Sequence, residues 1–420
     1  MKTRLLKSFN WIYIYYFFLL LILVSRTSDL APNSFVRLAY LTAFFVPILL
    51  KYRNLYLPCL ICFMTIGTYG FAYSYFPYMM YLYAIISLIG LIFTSKSALK
   101  VTISKMYTFL ILYVLIVDLV TSGHPSNIFY SSITIALGAM IADKRARQSK
   151  ELLLNTFSII SIVLSLLYLL NYDKFLTSYN PADDMERSGW TDPNYLSCII
   201  GMGVVSSLIL LLRNNTKNAV LTIARISIIA ISLICQLLLA SRGGLLAVSL
   251  SILIILFLSK IKFKYKFLLS LLIILFIVWL YTNSYLDLLI YRISNDVDGS
   301  GRLQIWSKKL SAFYNDAGPV YWLFGYGYDG AYKLASMGDG FGFHNDYLAF
   351  LCGYGIIGLS LFCYAIFIYP LTKVSKQSSA TVVALVSFLM LSCLTLEPIS
   401  AGRLTYYAFA YLILLVNKEA

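Results

Sequence analysis

Apolar residues in this chain come in long runs, one after another, with only short polar interruptions between most of them. A run of about 16–25 residues, coiled as a helix, matches the thickness of a bilayer's hydrocarbon core. Fourteen such runs can be counted, at about 9–24, 34–50, 55–73, 76–93, 102–120, 125–141, 152–171, 193–213, 219–240, 243–259, 267–284, 344–369, 378–396 and 403–417. With 60 % of 420 residues hydrophobic and only 12 % charged, a soluble fold could not cover its surface with polar groups. Barrel strands would be short and alternating, whereas these runs are continuous. The expectation is an all-α polytopic integral membrane protein of about 14 transmembrane helices, one transmembrane domain over residues 1–420. The first run follows MKTRLLKSFN and lacks a small-residue cleavage site, so it reads as a span rather than a signal peptide.

Charge tests this count. If the N-terminus is cytoplasmic and sides alternate, the inner segments carry 22 Lys and Arg against 3 acidic residues, and the outer ones 11 against 15. That is the positive-inside pattern at every loop, and it places both termini in the cytoplasm. The net charge of +15 is therefore topological and does not imply a nucleic-acid partner. Cys59 and Cys62 have CxxC spacing but sit inside a run with no second pair, so no metal site is expected there.

Two outer segments are too long to be simple connectors: residues 171–192, and a large loop over residues 285–343 between the eleventh and twelfth spans. Long loops between helices tend to carry function. Four residues on this face can bind charge or move a proton. Arg187 lies in ERSGWTDPNYLS beside Asp183, Asp184 and Glu186, so an ion pair within the loop is its simplest role. Arg242 lies in SRGG, a two-residue link that leaves its guanidinium near the membrane surface, suited either to snorkelling or to an anion. Arg302 opens SGRLQIWSKKLSAFY, where Leu303, Ile305, Trp306, Leu310 and Phe313 predict an amphipathic helix with Arg302 in its first turn. Lys308 and Lys309 read as surface charges. His344 lies at the head of the twelfth span, followed by Asn345 and Asp346. A helix N-terminus favours the neutral, base-competent imidazole, and a nearby carboxylate opposes this. His124, in TSGHPSN, has no supporting neighbours in the sequence.

Three arginines and a histidine on one face suit group transfer from a diphosphate-activated donor. The arginines would stabilise the leaving diphosphate and the histidine would deprotonate the incoming hydroxyl, without metal or other cofactor. Taken in order, the arginine before DPNYLS, then SRGGLLA, GRLQIW and FHNDYLAFLCGYGIIG resemble the bacterial O-antigen polymerase and O-antigen ligase superfamily over about residues 187–360. The resemblance implies a GT-C-like membrane fold and a metal-independent inverting glycosyltransferase. The donor would be an undecaprenyl-diphosphate-linked oligosaccharide, used at the outer face of the bacterial inner membrane. It also implies His344 as base and Arg187, Arg242 and Arg302 as contacts to diphosphate or glycan. Asn345 is a secondary candidate, as is Arg403, which follows the outer Glu397–Pro398 turn and has no clear counterpart in the family pattern. Tyr321, Trp322, Tyr326, Tyr328 and Tyr332 would stack on sugars or anchor the loop at the interface.

A chain-length regulator and a flippase of the same pathway are further implied partners, beside membrane lipid. Fourteen runs and a Tyr-, Lys- and Ile-rich composition tilt the reading toward polymerase, which accepts a lipid-linked repeat unit, over ligase, which accepts lipid A-core. A lipid-linked oligosaccharide transporter would bury its charges near mid-membrane, whereas here they cluster at span ends.

Overall fold

A computed structural model describes residues 57–58, 60–62, 65, 105–142, 146–170, 192–213, 219–259, 263–284, 290, 301–316, 318–334, 342–374 and 379–417. The runs at 9–24, 34–50 and 76–93, nearly all of 55–73, and the loop 171–192 up to residue 191, with Arg187, lie outside the described residues.

The described residues are helical, without strands. The helices are α1 (Lys105–Thr121), α2 (Asn127–Ala142), α3 (Ala146–Leu170), α4 (Pro193–Arg213), α5 (Ala219–Leu238), α6 (Arg242–Leu258) and α7 (Phe263–Thr282), followed by α8 (Arg302–Asp316), α9 (Pro319–Phe324), α10 (Gly327–Lys333), α11 (Asp346–Cys363), α12 (Ser379–Thr395) and α13 (Leu404–Asn417). α11 continues through a π-helical turn at Tyr364–Ile368 to Thr372. Among the described residues four helical stretches are long and apolar enough to cross a membrane, at 150–170, 193–212, 219–238 and 346–372, and shorter apolar helices cover 242–258, 379–395 and 404–416. Apolar side chains stand exposed along α1, α5 and α7, among them Phe109, Ile116, Ile223, Phe267 and Ile274. Such an exterior suits lipid rather than water.

The boundaries follow local chemistry. α4 starts with Pro193 at its first position, where a missing N–H costs nothing, and Asp192 Oδ1 accepts the Asn194 N–H at 2.8 Å. Ser241 caps α6 and Asn345 caps α11. α4 packs against α3, α5 and α6, and α6 packs against α12. Phe157, Phe388 and Phe409 interlock at the centre, with ring centroids 5.2 and 5.4 Å from Phe409. The segment expected as one large loop holds three helices: α8, where the amphipathic pattern placed it, and α9 and α10, both packed on α11.

Candidate functional site

The link between α12 and α13, residues 396–403, gathers the other candidate segments at one end of the bundle. Asp346, the first residue of α11, is fully buried against it. Its Oδ1 accepts the Ser400 N–H and Oγ–H, each at 2.7 Å, its Oδ2 accepts the Ile399 N–H at 2.9 Å, and its own N–H donates to the Leu396 carbonyl at 3.0 Å. Asn345, named in sequence as a secondary binding candidate, commits its Oδ1 to the helix start, accepting the N–H groups of Tyr347 and Leu348 at 2.9 and 3.2 Å.

His344 precedes this cap, half-buried, with φ at 47°. The left-handed region is strained for a histidine and persists only where neighbours over-determine it. Here Glu397 does so. Its Oε2 accepts the Phe343 N–H at 3.2 Å and the Tyr332 hydroxyl at 2.7 Å, and its carboxylate also takes the His344 N–H. Burial raises the Glu397 pKa above its usual value, against the pull of these hydrogen bonds. On the other side the Trp306 indole N–H donates to the Phe343 carbonyl at 2.6 Å. Lys309, 2 % exposed, donates to the Tyr332 carbonyl at 3.1 Å with its ammonium 4.3 Å from the centroid of the Phe343 ring. Burial lowers its pKa.

The arginines arrive from three directions. Arg302 is the first residue of α8, after Gly301, and its Nη1 donates to the Thr395 carbonyl at 2.7 Å, a cation at the C-terminus of α12. The same Thr395 packs on the Arg242 turn: a Cβ on Gly243 would come within 2.5 Å of Thr395 Oγ1. Ser241 Oγ in turn donates to Asn194 Oδ1 at 3.1 Å, which joins SRGG to DPNY. Arg403 closes the link, its guanidinium 3.6 Å from the centre of the Tyr195 ring.

Four separate sequence elements thus meet around residues 395–403, the segments that carry Arg242, Arg302, Arg403, Asn345 and His344; Arg187 lies outside the described residues. The cluster offers guanidinium groups for anionic oxygens and an imidazole for proton transfer. Among the described residues no three His, Cys, Asp or Glu side chains gather so as to hold a metal ion.

Three residues correct or extend the sequence reading. Lys309 is buried, not a surface charge. The signal lay in the spacing Ile305–Lys309–Phe313, which puts it on the apolar stripe of α8 while Lys308 falls beside it. Glu397 was visible as the lone acid between two apolar runs, but its partners lie 54 and 65 residues away. His124 does have a neighbour, Asp329 Oδ2 on α10, 3.0 Å from its Nε2. The loop aromatics stack largely on one another: Tyr321 on Tyr326 with centroids 4.2 Å apart, Trp322 on Tyr314 at 5.5 Å, and Tyr328 tilted on Tyr332 at 4.7 Å.

No curated protein and no solved structure matches the chain at a significant level. One family model does match, over residues 226–363, from within α5 to the last residue of α11. The matched stretch holds Arg242, Arg302, His344 and Asn345, with Arg403 and Glu397 beyond it. The model is that of O-antigen ligase, and the match bears out the likeness to the O-antigen polymerase and ligase superfamily carried by those arginine and histidine elements.

Proposed function

We propose that this protein is a metal-independent inverting glycosyltransferase that moves a glycan from undecaprenyl diphosphate onto a lipid-linked repeat unit, as a surface-polysaccharide polymerase at the outer face of the bacterial inner membrane. The family match points to O-antigen ligase or polymerase-type function in surface glycan assembly on a lipid-linked substrate. The observation that carries the finer reading is the convergence of the Arg242, Arg302, Arg403 and His344 segments on residues 395–403. Charged groups gathered at a helix end suit a donor whose diphosphate sits at the membrane surface and whose tail lies in lipid. The same placement disfavours a transporter, whose ion sites belong at mid-membrane.

In this mechanism His344 removes the proton from the acceptor hydroxyl as its oxygen attacks the anomeric carbon. The carbon–oxygen bond to diphosphate breaks, and the electron pair leaves with the diphosphate. Arg242 and Arg302, with Arg187 and Arg403 in support, offset the developing charge through planar donor forks. Attack opposite the leaving group inverts the anomeric centre. Glu397 keeps the His344 backbone in its strained conformation and so acts as a positioning residue.

Ligase is the second reading, favoured by the description of the matched family. The acceptor separates the two. In a strain carrying His344→Ala at normal protein level, long-chain glycan should disappear from the gel ladder, with a rate loss of about 10²–10⁴ if the histidine is a general base. A normal ladder sinks the catalytic role. Glycan capped at one repeat but attached to lipid A-core marks a polymerase; unattached polymer on the lipid carrier marks a ligase. Arg302→Lys and Arg242→Lys keep the charge and remove the fork, so unaltered activity would take both out of the site.

A further inference from the structure

The segment Pro319–Phe324 is apolar on every side. Val320, Tyr321, Trp322, Leu323 and Phe324 are each between 37 % and 66 % exposed, five large apolar side chains in succession. In water this would be an aggregation-prone patch. Its position along α1 indicates another surrounding. Gly327 packs on Thr121 at the end of α1, and the Tyr328 N–H reaches Asp118 Oδ1 at 3.2 Å. Leu323, four residues earlier, offers its carbonyl to the Tyr113 hydroxyl at 3.4 Å. Thr121 to Tyr113 is eight residues of helix, or about 12 Å at 1.5 Å per residue. From α10 back to α9 the chain therefore runs down the flank of α1, away from the bundle end.

Backbone at such a depth is tolerated only when its polar groups are answered by protein. The Gly325 N–H donates to the Tyr321 carbonyl at 2.7 Å and the Tyr326 N–H to the Cys352 carbonyl at 3.0 Å. The Tyr113 hydroxyl serves the Tyr354 carbonyl, at 2.8 Å, as well as that of Leu323. α11 makes room by breaking its helix at Gly355, with φ at 64°. A Cβ there would strike the Leu323 carbonyl, and one on Gly325 would strike the Gly353 carbonyl, so the two segments touch backbone to backbone. The outward side chains of α9 then continue the exposed apolar surface of Phe109, Leu112 and Ile116 on α1 and Ile356 on α11.

We propose that α9 is a re-entrant element whose side chains lie among the lipid acyl chains of the leaflet at the site end of the bundle. α8 follows it through the Tyr314–Trp322 stack, so the helix that starts at Arg302 and carries Lys309 is referenced to the lipid surface.

The test uses the full-length protein in phosphatidylcholine vesicles, with Trp322→Phe defining by difference the emission due to Trp322. In vesicles of lipid brominated on the upper acyl chain that component should lose intensity, while aqueous iodide leaves it nearly unchanged. Quenching by iodide with indifference to bromolipid places the helix in water and overturns the proposal. Protection from both places it under protein, such as a second copy, and overturns it equally. Phe324→Trp in the Trp322→Phe background supplies an independent reporter that must show the same bromolipid loss.

Discussion

The seam where α3, α4 and α5 meet and the link between α12 and α13 are both buried, but they are held by opposite means. In the seam, Ser161 donates to the Ile200 carbonyl and shares a hydrogen bond with Ser232, each at 2.8 Å, and Gln236 donates to the Ser197 carbonyl at 2.5 Å. A Cβ on Gly203 would overlap Ser161 and the Phe157 carbonyl. Small residues let these helices approach closely, which is how helices associate where no water drives them together. None of these contacts uses a charge. The link, by contrast, buries Asp346, Glu397 and Lys309 and draws Arg302 and Arg403 against it. Charge in a dry setting is costly and is no efficient route to stability. Around Ser161, Gly203 and Gln236 the seam closes tightly without charge, and Arg225 enters it only toward the opposite end of α4, where it donates to the Leu210 carbonyl at 3.0 Å. The gathering of charges at the short link therefore calls for a functional reason.

The seam should give the larger response in stability. Gly203→Val forces a side chain into backbone that cannot yield, and the expected loss is about 3 kcal/mol, seen as a lower Tm in detergent and less folded protein. A variant that melts like the parent would break the claim that shape alone closes the seam. Asp346→Asn is milder. One oxygen stays an acceptor, while the new amide faces either Ser400 or the Ile399 N–H donor to donor, costing about 2 kcal/mol. Its effect on glycan chain length should exceed what its Tm shift explains, because the helix start two residues after His344 loses its anchor. Equal retention of activity and Tm would reduce Asp346 to an ordinary helix-start residue.

Sequence reading found these two regions unequally well. Helix α6 was expected at 243–259 and lies at Arg242–Leu258, because a hydropathy run is a local signal that any bilayer-length helix must carry. The amphipathic start at Arg302 was equally local. His344, Arg242, Arg302 and Arg403 were legible as chemistry, since charged side chains at span ends are conspicuous in so apolar a chain. What held them was not. The Tyr332–Glu397 and Arg302–Thr395 hydrogen bonds join residues 65 and 93 apart, and no periodicity encodes such partners. Lys309 was misread because its neighbour Lys308 is exposed, and adjacent charges look alike until each is placed on a helix face.

The smallest effect sharpens the comparison most directly, through pH. Burial raises the Glu397 carboxyl above its usual 4.5, so between that value and the raised one the folded protein holds a proton that the unfolded chain has released. Folding then binds protons, and stability must fall as pH rises through that window. The favourable contribution is complete below the unfolded value and gone above the folded one. Glu397→Gln removes the titration while leaving one oxygen to accept from Tyr332 or Phe343. Melting across mildly acidic pH should therefore show a shallower slope in the variant, with Gly203→Val displaced to lower Tm but parallel to the parent. If Glu397→Gln keeps the parental slope, the carboxyl is hydrated rather than buried. The link would then lose the acid assigned to holding His344 in place.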